Sequence, residues 1–217
     1  MKPRLVGGLW PALAVAAGCL TRTAVVPQIF SIDPPPVEET RRSAGTYVVS
    51  VRRVEVAPPF EARELLYRTG DHRLERDHYA IFAAPPGDLL SGAVRGYLRN
   101  ATFAREVVEP GAALRAGLVV EVYASEISGD LRRADDAAAV LRLRFVVTIG
   151  GDTDTSARGP PLLEKEYSSR TRAARRTADA IATAWNEGLS AIMKEFVADV
   201  EAVLARGPTT TGGPACR

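Results

Sequence analysis

Apolar and polar positions alternate along most of this chain, and two segments switch to a helical period. The clearest strands lie mid-chain. In "AGLVVEVYASEIS" Leu118, Val120 and Val122 share a face. In "AAAVLRLRFVVTI" Ala139, Leu141, Leu143, Phe145, Val147 and Ile149 share one, and Arg142, Arg144 and Thr148 take the other. A period of two with one apolar side predicts a sheet buried on one face, which favours antiparallel pairing. "GDLRRADD" supplies the turn between them. Upstream, "TYVVSVRRVEV" (Thr46–Val56) is β-branched and changes phase between Val51 and Val54, predicting a buried strand with a bulge at Arg52–Arg53. "ELLYRTGDHRLERDHYAIF" predicts a hairpin turning at Thr69-Gly70-Asp71. Phe103–Val108 is a short strand, and "GGDTDTSARGPP" is a hairpin loop leading to the return strand "LLEKEYSSRTR".

Two helices complete the pattern. Pro85-Pro86 open the first, whose Leu89, Leu90, Val94, Tyr97 and Leu98 fall together at three-to-four spacing. The second runs from Arg176 to Ala205 and carries a stripe through Ile181, Trp185, Leu189, Ile192, Met193, Phe196, Val200 and Leu204. At 1.5 Å per residue it is roughly 45 Å long, enough to cross a sheet, and Gly207-Pro208 stop it. The expected fold is α+β: a mostly antiparallel sheet with two helices packed on one face, the long amphipathic helix last.

The N-terminus follows another logic. Met1-Lys2-Pro3-Arg4 is a short basic region, and Leu5–Ala17 is apolar and uncharged. At about 13 residues this run is too short to span a bilayer and has the length of a signal-peptide core. Ala16-Ala17-Gly18 before Cys19 resembles a bacterial lipobox, in which the cysteine thiol receives the lipid and becomes the first mature residue. The chain then divides into a signal peptide (1–18), a lipidated cysteine and tether (19–26), one α+β domain (27–206) and a Thr/Gly/Pro-rich tail (207–217). In "VPQIFSID" a short strand bounded by Pro27 and Pro34 would leave only a brief tether. Cys216 would be alone in the mature chain.

Lys+Arg of 28 against Asp+Glu of 26 is close to balance. A nucleic-acid binder would carry a clear basic excess, so that class is excluded. No P-loop, nucleophile elbow or dinucleotide-type glycine pattern occurs. His72 and His78, read as same-parity positions on one strand, lack a third ligand at a zinc spacing and are expected to be surface residues. Asp77 beside His78 has nothing to mark it as an acid or base. Asp152 and Asp154 lack the remaining ligand series of a calcium loop and are expected in a turn. No catalytic residue, metal or cofactor is expected. One cluster stands out: "SRTRAARR" places Arg170, Arg172, Arg175 and Arg176 around the start of the long helix, against its macrodipole. They are either a contact for anionic headgroups or an acidic partner, or a solvated connection.

Taken together, the lipobox, "PQIFSI", "YAIFAAPPGDLLSGAVRGYL", "ATFAREVV", the alternating strand pair and the helix containing "AWNEGLSAIMKEFVADV" resemble the ABC-type transport auxiliary lipoprotein family, which includes PqiC-like lipoproteins. The likeness runs from about Val26 to Leu204, with Ile29-Phe30 in place of an aromatic pair and Phe82 in place of a tryptophan. The resemblance implies a non-catalytic lipoprotein of the outer membrane, anchored through lipid on Cys19. It implies an MCE-domain protein and its ABC permease and ATPase as partners in lipid transport, and assembly into a homo-oligomeric ring. The other reading of the same features is an accessory of a different envelope machine, for lipopolysaccharide assembly or of Tol type.

Overall fold

The computed structural model describes residues 26–33, 45–150 and 160–206. Cys19, Cys216, Asp152 and Asp154 lie outside them. The elements are β1 (Gln28–Phe30), β2 (Tyr47–Val51), β3 (Glu55–Val56), a short 3₁₀ turn (Pro58–Phe60), β4 (Glu64–Arg68), β5 (Leu74–Phe82), α1 (Pro86–Leu98), β6 (Ala104–Val108), β7 (Leu118–Asp130), β8 (Ala138–Ile149), β9 (Leu163–Arg172) and α2 (Ala178–Arg206).

The nine strands of the described residues belong to one sheet organised around β7. On one side β8 pairs with it antiparallel, from Leu118↔Ile149 to Asp130↔Ala138, and β9 pairs antiparallel with β8. Three short strands share the other side in turn. β2 lies against Leu118–Val120, β3 against Tyr123–Ala124 and β4 against Gly129–Asp130, all parallel. Outside them, β6 runs parallel to β2, β5 antiparallel to β4, and β1 parallel to β5.

The sheet is therefore mixed, which corrects the mostly antiparallel expectation. Alternation reports which face of a strand is buried, and that pattern is the same for either neighbour direction. The return from β4 to the start of β7 passes through β5, α1 and β6, a crossover long enough to bring β7 back parallel.

The phase change at Arg52–Arg53 is a full break between β2 and β3, not a bulge within one strand. α1 fills it. The hydroxyl of Ser91, itself buried, accepts from the backbone N–H of Val54 at 2.8 Å and donates to the carbonyl of Gly87. Gly87 sits so close to this break that a Cβ there would lie 2.6 Å from the Val54 carbonyl oxygen. A residue with a side chain at this position would push α1 off the sheet.

Both helices cover the face formed by Val120, Val122, Ala124, Leu141, Leu143, Phe145, Val147 and Tyr167, all buried. α2 lays its expected stripe on it. Phe196 stacks on Phe145 at a centroid distance of 4.1 Å, and Tyr167 meets both rings edge-on. The helix starts at Ala178, two residues later than its period suggests, because Thr177 caps it. The Thr177 carbonyl accepts from Ile181 N–H at 3.0 Å, and its hydroxyl accepts from Ala180 N–H at 3.4 Å. No helix among the described residues is long and apolar enough to cross a membrane.

Candidate functional site

The face away from the helices is built by the polar half of the same alternation. It carries opposite charges in adjacent strands: Arg52 with Glu121 at 3.2 Å, Arg142 between Glu126 and Glu166 at 3.9 Å each, and Arg144 with Glu164 at 3.9 Å. Cross-strand pairs of this kind hold register and contribute little else when exposed.

The lattice tightens where the β4–β5 turn, the β7–β8 turn and the β9–α2 connection meet. Asp130, the last residue of β7, has a side chain only 6% exposed. Arg132 grips it through Nε at 2.9 Å and Nη2 at 2.8 Å, and the Arg132 backbone N–H adds a third bond at 3.2 Å. Arg170 reaches it from β9 at 3.4 Å and bonds Asp136 at 2.9 Å. The Arg132 hydrogen bonds hold the Asp130 carboxyl down at about 2, against the opposing effect of burial. Arg170 likewise lowers Asp136 and is itself raised by it.

Asp130 is thus a buried anion, and its loss strands two guanidinium groups. Asp130→Ala is expected to cost about 2 kcal/mol, less than a fully buried pair because both arginines are half-exposed. Its carboxyl lies below its unfolded value near 3.9, so its stabilisation is complete above that value and fades as pH falls through about 2. Urea melts of the native chain should therefore lose stability between pH 4 and pH 2, and Asp130→Asn should flatten that part of the profile.

The arginine run splits into two classes in this setting. Arg170 is committed to Asp130 and Asp136, and Arg172 donates to the Asp135 carbonyl at 2.9 Å. Arg175 and Arg176 are exposed in the 173–177 connection and have no partner among the described residues. Arg175 lines two shallow grooves that also share Arg172 and Ala174, and Arg176 lines the first of them. One, of ≈ 380 Å³, is lined also by Ala134, Asp135 and Ala137. The other, of ≈ 450 Å³, follows the first turns of α2 past Asp179, Thr183 and Glu187. Such a surface can present two free guanidinium groups to an anion. No group of three or more metal-ligating residues occurs among the described residues.

His72 lies in the β4–β5 turn and His78 on β5. The expectation that they occupy one strand is corrected: β5 begins at Leu74, because the turn extends through Arg73, whose carbonyl accepts from Thr69 N–H. The sequence marks the Asp130–Arg132 clamp only weakly. Its signal was the charge density of "GDLRRADD", which marks an ordinary turn equally well.

Residues 30–197 match the family described as ABC-type transport auxiliary lipoprotein component. The chain belongs to this family. Among solved structures, it is similar to protein XCC0632 from Xanthomonas campestris, with a TM-score of 0.67 and 14% identity over 82% of this chain and 97% of that one. It is also similar to an uncharacterized protein, with a TM-score of 0.62 and 11% identity over 81% and 99% of the two chains. At these identities the likeness shows a shared fold. No curated protein matches the chain in sequence. As a family member it is an auxiliary component of ABC-type transport.

Proposed function

We propose that this auxiliary component is a lipid-anchored, non-catalytic accessory of an MCE/ABC-type lipid transport system at the periplasmic face of the outer membrane. The observation that carries the reading is the family match over 30–197 placed directly behind a signal-like segment ending in Ala16-Ala17-Gly18-Cys19. Lipid on Cys19 ties the domain to a bilayer. Leu20 follows the cysteine where an inner-membrane retention signal would put aspartate, which favours the outer membrane. From there the accessory meets the MCE-domain protein and its ABC permease and ATPase, and several copies arranged as a ring would surround the end of a lipid path.

In this reading Arg175 and Arg176 are the contact for an acidic surface or anionic headgroup. They have no structural duty among the described residues, so Arg175→Glu with Arg176→Glu should change stability by less than about 0.5 kcal/mol. The same pair should weaken partner capture at low salt, and wild-type capture should itself fall as salt rises. The test of the whole reading is affinity purification of the tagged full-length protein from detergent-solubilised envelopes. An MCE-domain protein and an ABC permease are expected in the eluate. Their repeated absence under crosslinking would overturn the reading.

A further inference from the structure

The β1–β5 edge of the sheet exposes apolar residues with no structural explanation. Ile29 is 65% exposed, Tyr79 57% and Val26 81%. β1 is the outermost strand on this side. Its register sets Ile29 beside Ile81, and Gln28 and Phe30 beside Ala80 and Phe82. Ala80 and Phe82 are buried on the helix face, so Ile29, Ile81 and Tyr79 stand on the other face. Singly exposed apolar side chains are ordinary, but these lie side by side across β1 and β5 at the edge of the sheet, where natural proteins avoid them.

Their position names the occupant. Seven residues, Leu20–Val26, separate Cys19 from this edge, and even fully extended they reach only about 25 Å. The patch begins where that tether ends. Flanking charges are of both signs, Arg63, Arg76 and His78 against Glu64, Glu75 and Asp77. A contact here is therefore apolar and interfacial, with the Tyr79 ring at headgroup depth. We infer that the β1–β5 edge, through Ile29 and Tyr79, rests in the surface of the bilayer that holds the lipid anchor. This rests on the lipid-anchored reading above. It adds an orientation: the charged ends of the β4–β5 and β7–β8 turns and the start of α2 are carried on a domain seated by one edge.

The test uses the lipidated mature chain in vesicles of phosphatidylethanolamine and phosphatidylglycerol doped with chain-brominated phosphatidylcholine. Tyr79→Trp places a reporter in the patch, and Trp185, 1% exposed in the core, is the internal control. At least a twofold quenching of the Tyr79→Trp emission is expected, unrelieved by 0.5 M salt, with Trp185 of the native chain unaffected. Adding Ile29→Asp should abolish the quenching while the protein still floats with the vesicles. Flotation without quenching of Tyr79→Trp would overturn the edge contact and leave the anchor standing. An unquenched reporter in a chain that sediments as a dimer would assign the patch to a second copy, overturning the lipid contact. A mature chain of unacylated mass would overturn anchor and contact together.

Discussion

Trp185→Ala is expected to destabilise the domain by about 4 kcal/mol, the upper range for truncating a buried aromatic. The indole is 1% exposed and packs against Phe82 at a centroid distance of 5.4 Å, joining the end of β5 to the N-terminal third of the sheet-covering helix. It also completes the sheet. β7 has neighbours at Tyr123–Ala124 and Gly129–Asp130 on its β2–β4 side, and Ser128 falls in the gap between β3 and β4. The Trp185 Nε1–H donates to the Ser128 carbonyl at 3.1 Å, in the place of a strand partner. Alanine removes both the packing and the donor, and a buried carbonyl without a donor adds about 1–3 kcal/mol of its own. Trp185→Phe separates the two contributions by retaining most of the volume. Denaturant midpoints of the two variants should stand well apart, with the phenylalanine variant losing about half as much as alanine. Equal losses would mean that the hydrogen bond outweighs the packing. A loss below about 1 kcal/mol for Trp185→Ala would contradict a core bridging β5, β7 and α2.

Cys19→Ser carries the largest expected effect on function. Each buried methylene of an acyl chain contributes about 0.8 kcal/mol, and one chain alone binds only marginally, so two or more are needed for a lasting anchor. With serine at position 19 no thioether to lipid can form. The protein should move from the membrane fraction to the soluble periplasm, lose palmitate label and fail to complement a deletion. The thermal midpoint of its folded domain should stay where it was, because the substitution lies outside residues 26–206. Palmitate labelling that survived Cys19→Ser would remove the anchor and, with it, the outer-membrane placement.

Much of the architecture is visible in the pattern of residues. The helix stripe from Ile181 to Val200, the proline entry of α1 and the apolar face of β8 all emerge from side-chain period, because burial on one face is a local property of a segment. "GDLRRADD" and "RTGDH" were recognisable as turns for the same local reason.

Strand direction was not visible, since Val49 and Val51 would be buried equally beside a parallel or an antiparallel β7. The arginine run shows the same limit. In sequence Arg170, Arg172, Arg175 and Arg176 are one cluster. Folding turns Arg170 onto Asp130 and Asp136, forty and thirty-four positions away, and leaves Arg175 and Arg176 unpaired among the described residues. Long-range pairing between β8 and β9 makes that division, and no spacing rule encodes it.

The sequence by itself determined an α+β chain with two amphipathic helices, a cysteine directly behind a signal-like segment, and most of the residues that face the core. Only the tertiary structure decided that the sheet is mixed, that Trp185 closes the gap in β7, and which arginines pair with acids among the described residues. Period and composition are properties of neighbouring residues, whereas hydrogen-bond partners and ion pairs depend on which distant segments the packed core brings together.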